Sequence, residues 1–269
     1  MYDIENYYNA STIEEAVRLL KEHPDTRVIS GGSDVLIKIR EGKMAGTSLV
    51  SIRDIKELNG ITKKENGDIY IGAGTTFSHI TNDPVIQENI PVLGEAVDQV
   101  GGPQIRNIGT IGGNICNGAV SADSAPTVFS LNALLRIEDG NNGRTVPIRD
   151  FYLGPGRVDL KRGEILTHVI IPAKEYQGYH GNYIKYSMRK AMDIATLSCS
   201  VVSKVNTEKN ILEDVRITFG VAAPVPFRCE KTEAALKGQE ISEKLYEMTE
   251  QSIRQEINPR DSWRASREF

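Results

Sequence analysis

Apolar residues recur at helical spacing in STIEEAVRLLKEHP (11–24), where Ile13, Ala16, Val17 and Leu20 share one face. Ser11 and Glu14 have the spacing of a capping box and Pro24 stops the pattern, so a helix capped by Ser11 is expected. RVIS (27–30) is a short apolar run broken by Gly31-Gly32 and reads as a strand. SLVSI (48–52) is a second strand, and ENGDIYIGAG (65–74) is a turn followed by a third. PVLGEAVDQV (91–100) reads as a helix with Pro91 in its first turn. Further on the texture changes. ALLRIED (133–139), RTVPI (144–148), EILTHVIIP (164–172), NYIKYSM (182–188), ATLSCSVVSKV (195–205) and VRITFGVA (215–222) are rich in β-branched and aromatic residues. CEKTEAALKG (229–238) and SEKLYEMTEQSIRQEI (242–257) return to helix. Strands followed by a run of helices predict an α+β fold rather than a doubly wound sheet. The loop from Lys174 to Gly181 marks the expected start of a second domain.

Composition narrows the functional classes. The 269 residues are 39% hydrophobic and 25% charged, an ordinary globular balance. A net charge of −4 argues against a general nucleic-acid or membrane-surface role. No apolar run approaches the roughly 20 residues that span a bilayer, and no basic stretch followed by an apolar one marks the N-terminus for secretion. Cys116, Cys199 and Cys229 are odd in number and far apart, and His23, His79, His168 and His180 are scattered. A metal site built from this chain alone is therefore not expected, and free thiols fit a reducing cytoplasm.

The candidate chemistry lies in GGPQIRNIGTIGGNICNG (101–118), which contains neither GxGxxG nor GxxxxGK[ST]. A second Gly-Gly pair, in Ser30-Gly31-Gly32-Ser33-Asp34, sits in a similar polar setting. Glycine admits positive φ and leaves backbone N–H groups uncovered, and successive N–H groups make an anion-binding concavity. Only Arg106 is cationic near the second pair, so an anion is held mainly by amides. A turn or bulge remains open as the plainer reading of each pair.

GGPQIRNIGTIGGNICNGAVSADSAP (101–126), VISGGSDVLI (28–37), RKAMDIAT (189–196), FGVAAPVPFRC (219–229) and the SWRAS-EF tail (262–269) together resemble the FAD-binding subunit of the molybdenum hydroxylases. Within that family the chain looks most like the separate FAD subunit of bacterial xanthine dehydrogenases. The resemblance implies the two-lobed FAD-binding fold of the vanillyl-alcohol oxidase and MurB type, followed by a smaller C-terminal α/β domain. It places a FAD-binding domain over residues 1–176, with lobes of about 1–56 and 57–176, and a C-terminal domain over 177–269. Family members continue into a last helix, which makes a truncated or cut chain the expectation.

The site residues follow from the same resemblance. The first loop, Val28, Ile29, Ser30, Gly31, Gly32, Ser33, Asp34 and Val35, joins Thr110, Ile111, Gly112, Gly113 and Asn114 to hold the pyrophosphate. Gly112 and Gly113 are the glycines expected to face the ligand. Asp123 is implied at the ribityl or ribose hydroxyls, with a helix cap as its other reading. Ile165 or Leu166 is implied in backbone contacts, and Lys185 near the cofactor, with a solvent-facing strand position as its alternative. Arg189 and Asp193 are either an ion pair of the fold or a site near the flavin. Arg106 either touches cofactor or anchors its loop, and Tyr7, Tyr8 and Tyr183 offer aromatic surface. No residue is assigned to catalysis. The implied activity is electron transfer from [2Fe–2S] centres of a partner, through FAD, to NAD⁺, with a molybdopterin subunit as second partner. Aldehyde, nicotinate, carbon monoxide or benzoyl-CoA hydroxylases of the family, and a stand-alone flavin oxidoreductase of the same fold, are the alternatives.

Overall fold

The structure, a computed structural model, describes residues 2–269. The first lobe runs β1 (Ile4–Asn9), α1 (Ile13–Glu22), β2 (Arg27–Ile29), α2 (Val35–Arg40) and β3 (Thr47–Ser51). Its strands form a parallel sheet in the order β1-β3-β2. A central parallel strand is covered on both faces, and β3 is accordingly almost all buried. Val50 packs on one side with Ala16, Val17 and Leu20 of α1, while the adjacent Leu49 packs on the other with Ile39 of α2. The expected Ser11 cap is corrected to Thr12. Its Oγ1 accepts the Glu15 N–H at 3.1 Å, and Glu15 Oε2 accepts the Ser11 N–H at 2.8 Å. Two overlapping hydroxyl–glutamate spacings exist there, and the helix takes the later one.

The second lobe adds β4 (Ile61–Lys63), β5 (Ile69–Gly72), α3 (Phe77–Asn82), α4 (Pro84–Asn89), α5 (Pro91–Asp98), α6 (Pro103–Arg106), α7 (Ile111–Cys116) and α8 (Ser124–Ser130). After these come β6 (Leu134–Glu138), β7 (Arg144–Pro147), α9 (Ile148–Phe151), β8 (Tyr152–Gly154), β9 (Arg157–Val158) and β10 (Ile165–Ile171). An antiparallel sheet β4-β5-β10-β6-β7 places Ile69, Ile71, Leu135, Ile137, Val169 and Ile171 in one core. Their period of two is the sheet's own, and helices of the same lobe cover that face. A bulge between Leu166 and His168 turns the start of β10, so Leu166 stays in this core while Ile165 joins that of the first lobe.

The chain then forms β11 (His180–Tyr186), β12 (Leu197–Asn206), β13 (Ile211–Gly220), β14 (Phe227–Arg228), α10 (Glu230–Leu236) and α11 (Glu243–Glu256). These four strands are antiparallel in sequence order. On one face Val215 and Ile217 pack with Leu236 and Leu245 of the two helices. The other face receives Arg216 and Thr218 and meets α8 of the second lobe. No helix among the described residues is long and apolar enough to cross a membrane.

Arg144 ties β7 to the approach of β10. Its Nε and Nη2 donate to the two carboxylate oxygens of Glu164 at 2.9 and 2.8 Å, and Nη1 donates to Asp159 at 2.5 Å. The Arg144 hydrogen bond holds the Asp159 carboxyl below its usual range. Burial pushes Glu164 up, but Arg144 and the Lys161 N–H more than offset it, and the net direction is down. Folded values below the unfolded ones mean stability that is present above about pH 4 and lost as pH falls through the depressed values. Arg144→Met should therefore lower stability at pH 7 by about 2 kcal/mol and flatten the loss of Tm between pH 5 and 3. Parallel acid curves for the two proteins would show the pair is not its source.

Candidate functional site

The first Gly-Gly pair leaves β2 and enters α2. The consecutive N–H groups of Ser30, Gly31, Gly32, Ser33, Asp34 and Val35 find no acceptor within the described chain. All six residues are half-buried or exposed. Unpaired backbone donors in folded chains are met by water or ligand, so this run is a ready anion cradle. Gly32 has φ +73°, a conformation that turns these amides and that a side chain would resist. Val28, Ile37 and Ile108 stand around it as partly exposed aliphatics.

Gly31 presses on the second loop: a Cβ there would lie 1.9 Å from the Ile108 carbonyl oxygen and 3.0 Å from the Gly109 nitrogen. The structure thus brings the first predicted loop against Ile108 and Gly109, the backbone that leads into the second. Their amides are used differently. In the second loop Ile111 N–H donates to Thr75 O, Gly112 N–H to Ala73 O, Gly113 N–H to Thr110 Oγ1 and Asn114 N–H to Thr110 O. The second Gly-Gly pair is not a free loop but the first turn of α7, capped by Thr110. The expectation that Gly112 and Gly113 both face the ligand is corrected. A Cβ on Gly112 would meet Ala73 at 2.6 Å, so its bareness serves packing, whereas Gly113 is exposed and would meet only Thr110 Oγ1, at 3.0 Å.

Lys38 ties α2 to the C-terminal end of α7. It pairs with Asp34 at 2.6 Å and donates to Asn117 Oδ1 at 2.8 Å. It was missed in the sequence because its relevance rests on α2 turning it toward α7, and its spacing of four from Asp34 is the only signal. Arg106 is spent on Asp98 at 3.1 Å and lies within reach of the Val100 and Gly101 carbonyls, which makes it the anchor of its loop.

Asp123 precedes α8 but makes no cap hydrogen bond. Its Oδ1 accepts from Tyr183 Oη at 2.9 Å, and its Oδ2 accepts from Lys185 Nζ at 2.8 Å. Lys185 also donates to the Gln99 carbonyl at 2.8 Å. The pair is buried, with side chains 8% and 5% exposed. Burial raises the Asp123 pKa, and the Lys185 charge pulls it back only in part. Lys185 is thus not the solvent-facing residue that strand alternation suggests. Tyr183, offered as aromatic surface, is buried. Tyr8 stacks on His23 at 4.5 Å, and Tyr7 is exposed. Ser124 Oγ donates to Asn114 Oδ1 at 2.7 Å, joining α8 to α7. Ile165 and Leu166 have buried side chains and lie opposite Glu138 and Ile137 of β6 in the sheet.

A cleft of about 540 Å³ opens beside the Lys185–Asp123 pair, lined by Gln99, Gly101, Arg106, Lys185 and the loop Ser187 to Asp193. Arg189 and Asp193 close that loop: the Arg189 N–H donates to Asp193 Oδ2 at 2.8 Å and the guanidinium stands 3.4 Å from Oδ1. They are an ion pair of the fold and a wall of the cleft at once. Among the described residues no cluster of His, Cys, Asp and Glu has the arrangement of a metal site.

Residues 2–174 match the family described as FAD binding domain in molybdopterin dehydrogenase, and residues 182–269 match the CO dehydrogenase flavoprotein C-terminal domain. The chain is 39% identical over its whole length to 91% of a xanthine dehydrogenase FAD-binding subunit of Escherichia coli O157:H7. It is 32% identical to the nicotinate dehydrogenase FAD-subunit of Eubacterium barkeri, over 93% of this chain and 84% of that one. Among solved structures, a carbon monoxide dehydrogenase chain from Hydrogenophaga pseudoflava superposes with a TM-score of 0.93 at 29% identity, covering 100% of this chain and 92% of its own.

The close approach separates the two loops experimentally. Gly31→Ala forces a Cβ against backbone and should cost about 3 kcal/mol, read as a lower Tm of the ligand-free chain. Gly113→Ala should leave Tm within about 1 kcal/mol equivalent or raise it, as a helical glycine replaced by alanine. Equal effects would contradict the geometry.

Proposed function

Because the chain belongs to the family of FAD-binding domains of the molybdopterin dehydrogenases, we propose that it is the FAD-bearing electron-transfer subunit of a xanthine dehydrogenase-type molybdenum hydroxylase. FAD is its cofactor. We assign the FAD-binding domain to residues 1–176 and the C-terminal domain to 177–269. Bound FAD would supply the redox chemistry between [2Fe–2S] centres of one partner, themselves fed by a molybdopterin partner, and NAD⁺ as the acceptor.

The observation that carries the site is the run of unpaired amides from Ser30 to Val35 set against the second loop. These amides suit the two phosphates of a dinucleotide, with Thr110, Ile111, Gly112, Gly113 and Asn114 as the opposing wall. The nearby cations are already paired, Lys38 with Asp34 and Arg106 with Asp98. The amides therefore supply the attraction, which makes binding less salt-dependent than binding by lysines. Val28 and Ile29 bring the strand edge that aims the loop. Asp123 keeps a second lone pair on each oxygen for a sugar hydroxyl. Lys185 holds that carboxylate in place, and Ile165 and Leu166 contribute backbone. The cleft beside Lys185 is the space we assign to the approach of NAD⁺.

Three cysteines are too few for even one four-thiolate iron–sulfur centre, which supports a separate partner carrying the clusters. The higher identity to a xanthine dehydrogenase subunit than to a nicotinate dehydrogenase subunit supports xanthine as substrate of the complex.

The purified chain should take up FAD and show a flavin spectrum, and Gly113→Val should weaken FAD binding by about tenfold or more, with its fold retained by circular dichroism. Anaerobic NADH should bleach the bound flavin. Wild-type FAD affinity in Gly113→Val sinks the loop assignment, and a flavin untouched by NADH sinks NAD⁺ as acceptor.

A further inference from the structure

The helix α8 joins the two domains, and every one of its residues is buried. It spans Ser124–Ser130, about 10 Å, too short to hold itself in place. Ala125, Val128 and Phe129 pack it into the core, the Ser130 hydroxyl donates to Thr218 Oγ1 at 2.9 Å and Ser200 O at 3.2 Å, and polar side chains from outside hold its two ends. At the start stand Tyr183 and Lys185 of β11 on Asp123, and Ser124 on Asn114 of α7. At the end, the carbonyls of Thr127, Phe129 and Val128 accept from the N–H groups of Leu131, Asn132 and Ala133. That leaves the Ser130 carbonyl, which accepts from Arg216 Nη1 at 3.2 Å.

Arg216 is buried on β13, on the face of the C-terminal sheet turned to the FAD-binding domain. Nη1 also donates to the Glu175 carbonyl at 2.9 Å, and Nη2 pairs with the Glu175 carboxylate at 3.0 Å. The guanidinium lies 4.4 Å from the Tyr179 ring centre, and the Tyr179 hydroxyl donates to Asp214 at 2.7 Å. One planar fork thus joins the end of α8, the turn before the interdomain crossing, and the C-terminal sheet. Its charge also sits at the negative end of the helix dipole, where a cation is favoured.

We propose that Arg216 is a positioning residue for the FAD site. By fixing the C-terminal end of α8, it sets where the other end presents Asp123 to the cofactor and Ser124 to the second loop. This rests on the reading that the two loops and Asp123 hold FAD. The C-terminal sheet grips α8 at both ends with a cation, Lys185 at the site and Arg216 one helix length away.

The test uses the full chain and FAD titration. Arg216→Met combined with Glu175→Gln removes both charges of the close pair, and Asp214, which lies 3.7 Å from Arg216, keeps Lys237 at 3.1 Å as its partner. The double variant should keep its far-ultraviolet circular dichroism, bind FAD about tenfold more weakly, and change the visible circular dichroism of the bound flavin. Asp123→Asn should weaken FAD binding in the wild-type chain but add little in the double variant, because both act through the same carboxylate. Unchanged FAD affinity with only a lower Tm, or losses that multiply independently, would overturn the proposal. Should the double variant fail to fold, Arg216→Lys keeps the charge and loses the fork, and an intermediate loss of affinity is expected. Wild-type affinity there would equally overturn it. Gly113→Val separates the two readings: if it retains FAD the loop assignment fails, and if it alone loses FAD only the role of Arg216 fails.

Discussion

The contact of Gly31 with the Ile108 carbonyl is the constraint on which the site depends. No side chain fits between the two backbones, so the loop leaving β2 can lie directly against the loop entering α7. The closeness joins two lobes whose sheets differ in kind, one parallel and one antiparallel. It also assigns unlike work to two similar motifs. The second loop spends its amides on Ala73, Thr75 and Thr110 and becomes a rigid wall. The first loop, braced by that wall, keeps its amides free.

The C-terminal domain completes this arrangement from outside. Its sheet turns one face to its own helices and the other to α8, and two cations on that second face reach across. Buried ion pairs are costly to desolvate, and removing one partner leaves the other charge unpaired. Here Lys185 and Tyr183 hold Asp123, which makes no cap hydrogen bond to its own helix. The redox chemistry belongs to the cofactor, and the chain supplies its seat, which is why no acid, base or nucleophile stands out.

Much of this was legible in the amino-acid order. The α+β class, most of the strands, the helix α1 and the two helices after β14 follow from periodicity. The paired glycine motifs are visible in the residues themselves, and their pyrophosphate role and Asp123 follow from the resemblance. What was hidden depends on tertiary contacts. The turn Ile111–Asn114 reads as a loop because two glycines disfavour helix, yet Thr110 caps it and Ala73 packs against it. Lys185 alternates like a solvent-facing residue, and only the approach of α5 and α8 to β11 buries it. The strand β1 is mostly exposed and carries Glu and Asn, so its alternation is faint. The roles of Arg216 and Lys38 require knowing which helix end lies opposite each, and no local spacing carries that.

The most direct measurement is a titration of the perdeuterated chain with FAD, followed by ¹H–¹⁵N correlation spectroscopy. The largest amide shifts should fall on Ser30 through Val35, with smaller ones at Thr110 and Gly113 and little change in α10 and α11. Saturable FAD binding that leaves the amides of Ser30 through Val35 unmoved would contradict it.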